Sequence, residues 1–369
     1  MNLNQACIKQ KKSPSLEIIP LTTFRFVTAF IVFLFHVHIH FNWRTGIKYI
    51  DRFIWDGAIF MSAFFVLSGF ILTYTYYHTE FVGNATNLKN YYIKRFARIY
   101  PVYIVLLLLT SYQLLDLHAS QIVCLIVANV FLVEAFFYIL FPHWVNGGMW
   151  SLSVEAFFYS IFPFLKYLLN FLCEHKIKLF IIAYLLAMFP SMIRIAFDET
   201  KDIHVNPIFR LGEFCLGLLT CMVYKTCKNY STKYHFVILS ALCLLLFVSV
   251  VVLGKIIDDW FFTGFNFIVL PILCYVIYLL AQLSKDNNKY TYALLANPVC
   301  QYLGKISYSF YMTQFLVLSL FGKEVLADLI HNKHVLMLTL LTLNLLLASI
   351  FYELLEKRMR RKIVRRFVQ

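Results

Sequence analysis

The chain has 369 residues, of which 61% are hydrophobic and only 14% charged. An ordinary soluble domain carries about 25% charged residues, and a water-soluble core has no room for apolar runs such as 99–109, 236–253 and 335–350. A spanning helix needs only about 20 residues. The composition therefore identifies a polytopic integral membrane protein and excludes a soluble enzyme, a disulfide scaffold and a disordered chain.

The formal net charge of +14 rests on 33 Lys and Arg against 19 Asp and Glu. Nucleic acid is not an expected partner. The basic residues lie in short loops and tails between apolar runs, which is the pattern of topology signals rather than of one basic face. The nine Cys are spread singly through apolar segments and are expected as free buried thiols. No Cys/His spacing suggests a metal site. Residues 1–20 read as a polar cytoplasmic N-tail, and 21–41 as a retained signal-anchor helix, because no small-residue cleavage site follows it.

In chain order, apolar segments run at about 21–41, 56–77, 99–117, 121–142, 150–172, 179–197, 207–224, 235–254, 264–283, 306–321 and 335–355. Six basic stretches interrupt or flank them: the N-tail, the 78–98, 173–178, 225–234 and 284–305 loops, and the tail from Lys357 to Arg366. They hold 22 of the 33 basic residues and are all expected on the cytoplasmic side. Three segments separate the 78–98 loop from the 173–178 loop, and an odd number of crossings cannot return to the same side. One of the eleven segments therefore does not span. The stretch 121–149, with Glu134, Pro142-His143 and Asn146-Gly147-Gly148, is expected to re-enter or to lie along the interface. The fold class is thus all-α, a transmembrane bundle of about 10 spanning helices. The membrane domain occupies 21–356 and a basic cytoplasmic tail 357–369, so both termini face the cytoplasm.

An ionisable side chain at membrane depth costs about 3 kcal/mol, which makes each one a functional candidate. Arg25 and His36 are eleven residues apart. At about 100° per residue they share one helix face, about 16 Å apart along the axis. His40 continues that face and His38 points away. His36 is either a core imidazole satisfied by a neighbour or a general base, and the Arg on its face favours a lined cavity. Arg95 and Arg98 are i,i+3 neighbours if their helix begins before Pro101. They read as an interface anchor or as a site for phosphate groups, which guanidinium forks suit. Ser151, Glu155 and Tyr159 fall one turn apart on one face, where the carboxylate is either an internal partner for an Arg or a catalytic acid/base. Arg210 and Glu213 read as a structural ion pair. Ser68-Gly69 reads as helix packing. The glycosylation sequons at Asn84 and Asn229 are discounted because both lie in loops expected to be cytoplasmic.

Together these segments resemble the acyltransferase-3 family of integral membrane acyltransferases. Arg25-x10-His36 is similar to the family's Arg/Lys-x10-His motif, and Phe64–Phe70 to its F-F-x-L-S-G-F segment. Arg95-x-x-Arg98 with Tyr100-Pro101 resembles R-x-x-R-x-x-P, and Trp150–Tyr159 resembles W-S-L-x-x-E-x-x-F-Y. Weaker later motifs resemble Asn206–Gly217 and Gly304–Tyr311, so the matches run in family order over about 25–356. Two positions depart: Gln314 stands where a His is expected, and Lys357 where a Pro is common. The chain stops about a dozen residues past the last apolar segment, so the soluble hydrolase-like domain fused to some members is not expected.

The resemblance implies transfer of an acyl group, usually acetyl from cytoplasmic acetyl-CoA, to a hydroxyl of a cell-envelope carbohydrate in the bacterial inner membrane. O-antigen of lipopolysaccharide, capsule, peptidoglycan, a lipid-linked glycan and a small glycoside all remain open as acceptors. It implies that Arg95 and Arg98 hold the CoA phosphates and that Arg25 sits at the cytoplasmic mouth of the cavity. His36 would deprotonate the acceptor hydroxyl or accept the acyl group in a relay, and Glu155 would orient the His or position the sugar. Trp150, Ser151 and Tyr159 are expected at the substrate. The main rival is a transporter or flippase for a lipid-linked sugar, since aligned intramembrane Arg, His and Glu also line substrate paths. A structural membrane component with a satisfied polar core is the third reading. A membrane-bound O-acyltransferase of the other large class would also carry an intramembrane His, but the Arg-x10-His and W-S-L-x-x-E segments favour the acyltransferase-3 family.

Overall fold

A backbone crossing hydrocarbon must satisfy its own polar groups, and a helix does so within one segment. In the computed structural model the apolar runs 99–109, 236–253 and 335–350 are helical. The structure describes residues 17–114, 117–137, 140, 149–171, 176–197, 204–226, 234–257, 266–284 and 292–368, and no strand occurs among them. The N-tail up to residue 16, the Asn146-Gly147-Gly148 turn and the sequon at Asn229 lie outside the described residues.

The helices are α1 (Ile19–Phe41), α2 (Lys48–Trp55), α3 (Phe60–Thr75), α4 (Ala85–Thr110), α5 (Ala119–Val130), α6 (Trp150–Phe171) and α7 (Lys176–Phe197). They continue as α8 (Leu211–Thr226), α9 (His235–Ile257), α10 (Asn266–Leu283), α11 (Pro298–Leu316), α12 (Lys333–Ile350) and α13 (Lys357–Phe367). A π-helical stretch, Phe351–Glu356, joins the last two. Among the described residues, five segments are long and apolar enough to cross a membrane: Ile19–Phe41, Gly57–Thr75, Trp150–Leu169, His235–Ile256 and Lys333–Phe367. Ala119–Val130, Ile177–Ile193 and Phe267–Leu283 are apolar but shorter.

Three helix starts differ from the hydropathy boundaries, each for a local reason. Helix α4 begins at Ala85 rather than 99, because Asn84 caps it by accepting from the Asn87 N–H at 2.9 Å. Its first half is too polar for hydropathy to register. Pro101 sits inside it and removes only one backbone donor. Helix α11 starts at Pro298 behind the Asn297 cap, with Pro in the first turn where its missing N–H costs nothing. Helix α12 starts behind Asn332, which accepts from the His334 and Val335 N–H groups. Helix α2 had no hydropathy signal, since charged Asp51 and Arg52 interrupt it. In the stretch expected not to span, α5 has 12 residues. That is about 18 Å of helix, against about 30 Å of hydrocarbon. The six described Cys are free as expected, but Cys124 and Cys243 are exposed rather than buried. Both lie on apolar helices whose outer faces carry other exposed large side chains such as Val123 and Leu244.

Two close helix crossings set the core. A Cβ on Gly217 would lie 1.9 Å from the Val66 carbonyl oxygen, and one on Gly69 only 2.1 Å from that of Phe214. Helices α3 and α8 therefore touch backbone to backbone. They run parallel: Ser62 donates to Glu213 at 3.0 Å at one end, and Phe70 meets Tyr224 at 5.7 Å at the other. Helices α1 and α11 also run parallel, with Gly304 against Thr22, Phe310 5.2 Å from Phe26, and Phe315 4.9 Å from His36. Helix α12 returns antiparallel to α11, since Asn344 meets Thr313 at 2.8 Å while Tyr352 meets Tyr302 at 6.5 Å.

Arg210 and Glu213 form the expected ion pair at 2.6 Å, both 1% exposed. Arg210 also donates to the His204 carbonyl at 2.6 Å and lies over the rings of Phe65 and Trp150, so the pair knits α8 to α3 and α6. Replacing Gly69 or Gly217 by Val should force α3 and α8 apart at a cost of at least about 1–3 kcal/mol. Thermal unfolding of the detergent-solubilised protein should show a lower midpoint for each variant. An unchanged midpoint would mean that the helices do not meet at these glycines.

Candidate active site

Helices α1, α3, α4, α6 and α11 enclose a cavity of about 830 Å³, counted with its open mouth. The helical period determines who lines it. Ser151, Glu155 and Tyr159 present one face of α6, Arg95 and Arg98 one face of α4, and Ser307, Tyr308 and Tyr311 one face of α11. Arg25 enters from α1, and Phe64, Phe65 and Ser68 close the α3 side. Six residues singled out from the sequence thus meet at one site: Arg25, Arg95, Arg98, Ser151, Glu155 and Tyr159.

Most of the polar wall residues are held by neighbours. Arg98 pairs with Glu356 and lies over the Tyr308 ring at 5.2 Å. The other Glu356 oxygen accepts from the Ser309 hydroxyl at 2.7 Å. Arg95 lies 5.6 Å from the ring centres of both Tyr76 and Tyr159 and donates to the Tyr76 hydroxyl at 3.4 Å. Its Nε is buried with no hydrogen-bond partner among the described residues. Tyr159 donates to Glu155, and the Ser151 and Tyr311 hydroxyls are joined at 2.8 Å. Arg25 faces Arg98, Tyr159 and Glu155. Helix α4 is pinned against α6 by Tyr91 and Tyr92, which donate to the Tyr159 and Ser160 carbonyls at 3.0 and 2.8 Å.

Two of the singled-out residues lie outside the cavity wall. Trp150 is buried against Phe65, His204 and the Arg210 guanidinium, so it braces the Arg210–Glu213 pair. His36 lies further along the α1 face that carries Arg25. Its Nδ1 is 2.8 Å from the Val32 carbonyl oxygen, an atom that only accepts, so Nδ1 carries the proton and donates. Nε2 is then left with a lone pair. The ring stacks on His40 at 6.1 Å and meets the edge of Phe315, which in turn stands 5.9 Å from Tyr311. Phe315 thus separates His36 from the α11 end of the cavity. His38 points away from this face onto Trp55.

Glu356 and Ser309 went unnoticed in the sequence as partners of the cavity. The Arg98–Glu356 pair spans 258 residues, and no local pattern carries such a contact. Gln314 is fully buried one turn beyond Tyr311, and neither amide atom has a hydrogen-bond partner among the described residues. A buried unpaired polar group costs about 1–3 kcal/mol, and an apolar group of the same shape removes that cost. Gln314→Met should therefore keep or raise the thermal unfolding midpoint. A clear fall would reveal a partner for the amide.

The acyltransferase domain model matches residues 20–353. A relative named "Putative O-acetyltransferase" in Staphylococcus aureus strain COL is 24% identical over 340 residues, covering 86% of this chain and 53% of the relative. One of the same name in strain MSSA476 is 24% identical over 302 residues, covering 76% of this chain and 48% of the relative. The chain thus spans about half the length of the curated relatives it matches. No solved structure matches it. With the family model covering nearly the whole helical bundle, the chain belongs to the acyltransferase-3 family of membrane proteins.

Proposed function

We propose that this protein is a membrane O-acyltransferase that moves an acyl group, acetyl foremost, from cytoplasmic acyl-CoA to a hydroxyl of a cell-envelope carbohydrate. The observation that carries this reading is the cavity itself, where Arg25, Arg95 and Arg98 face a single lining carboxylate, Glu155. A cluster of guanidiniums in a low-dielectric wall calls for an anion, and their forks suit phosphate. The buried, unpaired Nε of Arg95 is a donor that a phosphate oxygen would satisfy. The residues therefore fit a CoA thioester, which supplies an activated acyl carbon and a thiolate leaving group.

Arg95 and Arg98 would hold the phosphates, and Arg25 the region between them and the acyl group. His36 lies about 16 Å beyond Arg25 on the same helix face, a distance that an extended pantetheine arm covers. The Phe315 ring would turn aside for the thioester. His36 Nε2 would take the proton of the acceptor hydroxyl as its oxygen bonds to the acyl carbon. The carbon–sulfur bond would break, and the sulfur would take that proton back from His36 and leave as the CoA thiol. The same lone pair would serve as nucleophile in an acyl relay. Ser151, Glu155 and Tyr159 would position substrate from α6, while Trp150 acts from behind the wall.

Helix directions support a ten-span topology with both termini on one side, which the basic loops suggest is the cytoplasmic one. Parallel neighbours cross a bilayer in the same sense, so an odd number of crossings separates them. Between α3 and α8 lie the four apolar segments at 99–117, 121–142, 150–172 and 179–197. The parallel pairing allows only an odd number of these to span, and the short α5 is the natural one to drop. The parallel pair α1 and α11 obeys the same count. With both ends cytoplasmic, the Arg95–Arg98 end of the cavity opens to a cytoplasmic donor, in a bacterial inner membrane.

The test compares His36→Ala with wild type in a host lacking its own copy, at matched membrane expression. Base-labile acetyl on envelope glycans is measured by mass spectrometry. Loss of a proton-transfer residue should lower acetylation by about 100-fold or more. Full acetylation by the variant would remove His36 from the reaction. Glycans that never depend on the protein would overturn the enzyme reading in favour of transport of a lipid-linked sugar.

A further inference from the structure

The C-terminal helix α13 is strongly basic, yet its residues are not equivalent. It packs against the first half of α4. The ion pair between Arg98 and Glu356 marks one level of that contact. Glu356 immediately precedes α13, which then runs toward the start of α4. One turn onward on α13 is Arg360, and one turn back on α4 is Arg95. The antiparallel register therefore brings Arg360 alongside Arg95 and Arg98, and its charge interacts with both. Ile363 and Val364 continue the packed side half-buried; Arg360 is exposed, as are Arg358, Arg361, Lys362, Arg365 and Arg366.

The charges at this end do not balance. Both oxygens of Glu356 are engaged, one by Arg98 and the other by Ser309. Arg95 and Arg360 thus stand near Arg98 with no carboxylate in a salt bridge to either among the described residues. Arg360 is the outermost of the three and remains solvent-accessible.

We propose that Arg360 completes an anion site with Arg95 and Arg98 and holds the phosphate monoester at the nucleotide end of the acyl donor. This deepens the CoA reading above and rests on it. The order of groups matches. With the thioester deep in the cavity, the pyrophosphate reaches Arg95 and Arg98, and the ribose 3′-phosphate lies furthest out, where Arg360 stands. A phospholipid headgroup offers related phosphate chemistry, and the experiment separates the two sources.

Binding of CoA and of dephospho-CoA, which lacks the 3′-phosphate, is measured by calorimetry on the full chain in phosphatidylcholine nanodiscs. Wild type, Arg360→Gln, Arg360→Lys and the surface control Arg365→Gln are compared, each with its unfolding midpoint. Arg360→Gln should weaken CoA about 10-fold, the weight of one charge-assisted contact. It should leave dephospho-CoA within about twofold, with Arg360→Lys intermediate and Arg365→Gln unchanged. CoA binding equal to wild type in Arg360→Gln would overturn the proposal while leaving the donor reading intact. So would an equal loss for both ligands, which would mark a structural role. If the only effect of Arg360→Gln is on the midpoint gained when phosphatidylglycerol is added to the nanodiscs, the phosphate belongs to lipid and the proposal fails. Wild type that binds neither CoA nor dephospho-CoA would overturn the donor reading itself.

Discussion

The ion pair between Arg98 and Glu356 is the interaction on which the cavity depends. Glu356 is 2% exposed, and a charge so buried is tolerated only with a partner and further hydrogen bonds. Ser309 supplies one such bond, and the Tyr308 ring lies under the guanidinium. One contact thereby joins α4, α11 and the junction of α12 with α13. It orients the first half of α4 so that Arg95, one turn away, also faces inward. Because Glu356 is used up by Arg98 and Ser309, Glu155 is the carboxylate left in the cavity wall to face the guanidiniums.

The opposite wall is held by shape rather than by charge. Between Gly69 and Gly217 the backbones of α3 and α8 approach as closely as helices can, and no side chain fits in the contact. In hydrocarbon there is little hydrophobic gain from joining helices, so such small-residue packing carries the association. The Arg210–Glu213 pair sits at the end of this crossing, where Ser62 donates to Glu213 and Trp150 covers Arg210. That nest fixes the start of α6, from which Ser151, Glu155 and Tyr159 reach the cavity at successive turns.

Much of the site was legible because helical periodicity is local. Steps of eleven residues from Arg25 to His36, four from Ser151 to Glu155, and three from Arg95 to Arg98 suffice to place each set on one face. Of the two candidates outside the cavity wall, Trp150 has the right helix but a direction that turns it behind the wall, and His36 lies further along the α1 face, beyond Phe315. Where hydropathy failed, the cause was polarity within a real helix. The capped first half of α4 and the charged α2 and α13 carry too little apolar character for a window average to register them. The buried-thiol expectation failed at Cys124 and Cys243 because an apolar residue in a membrane protein has two apolar destinations, the core and the outer face.

The sequence by itself determined the solvent, the helical class, the family and the faces on which the candidate residues stand, because each follows from composition or from spacing within one helix. Only the tertiary structure decided which faces meet. It brought Glu356 to Arg98 across 258 residues, set α3 parallel to α8 and α1 parallel to α11, and interposed Phe315 between the cavity and His36. These depend on close approach between distant segments, and their energy lies in packing and charge pairing that no local pattern records.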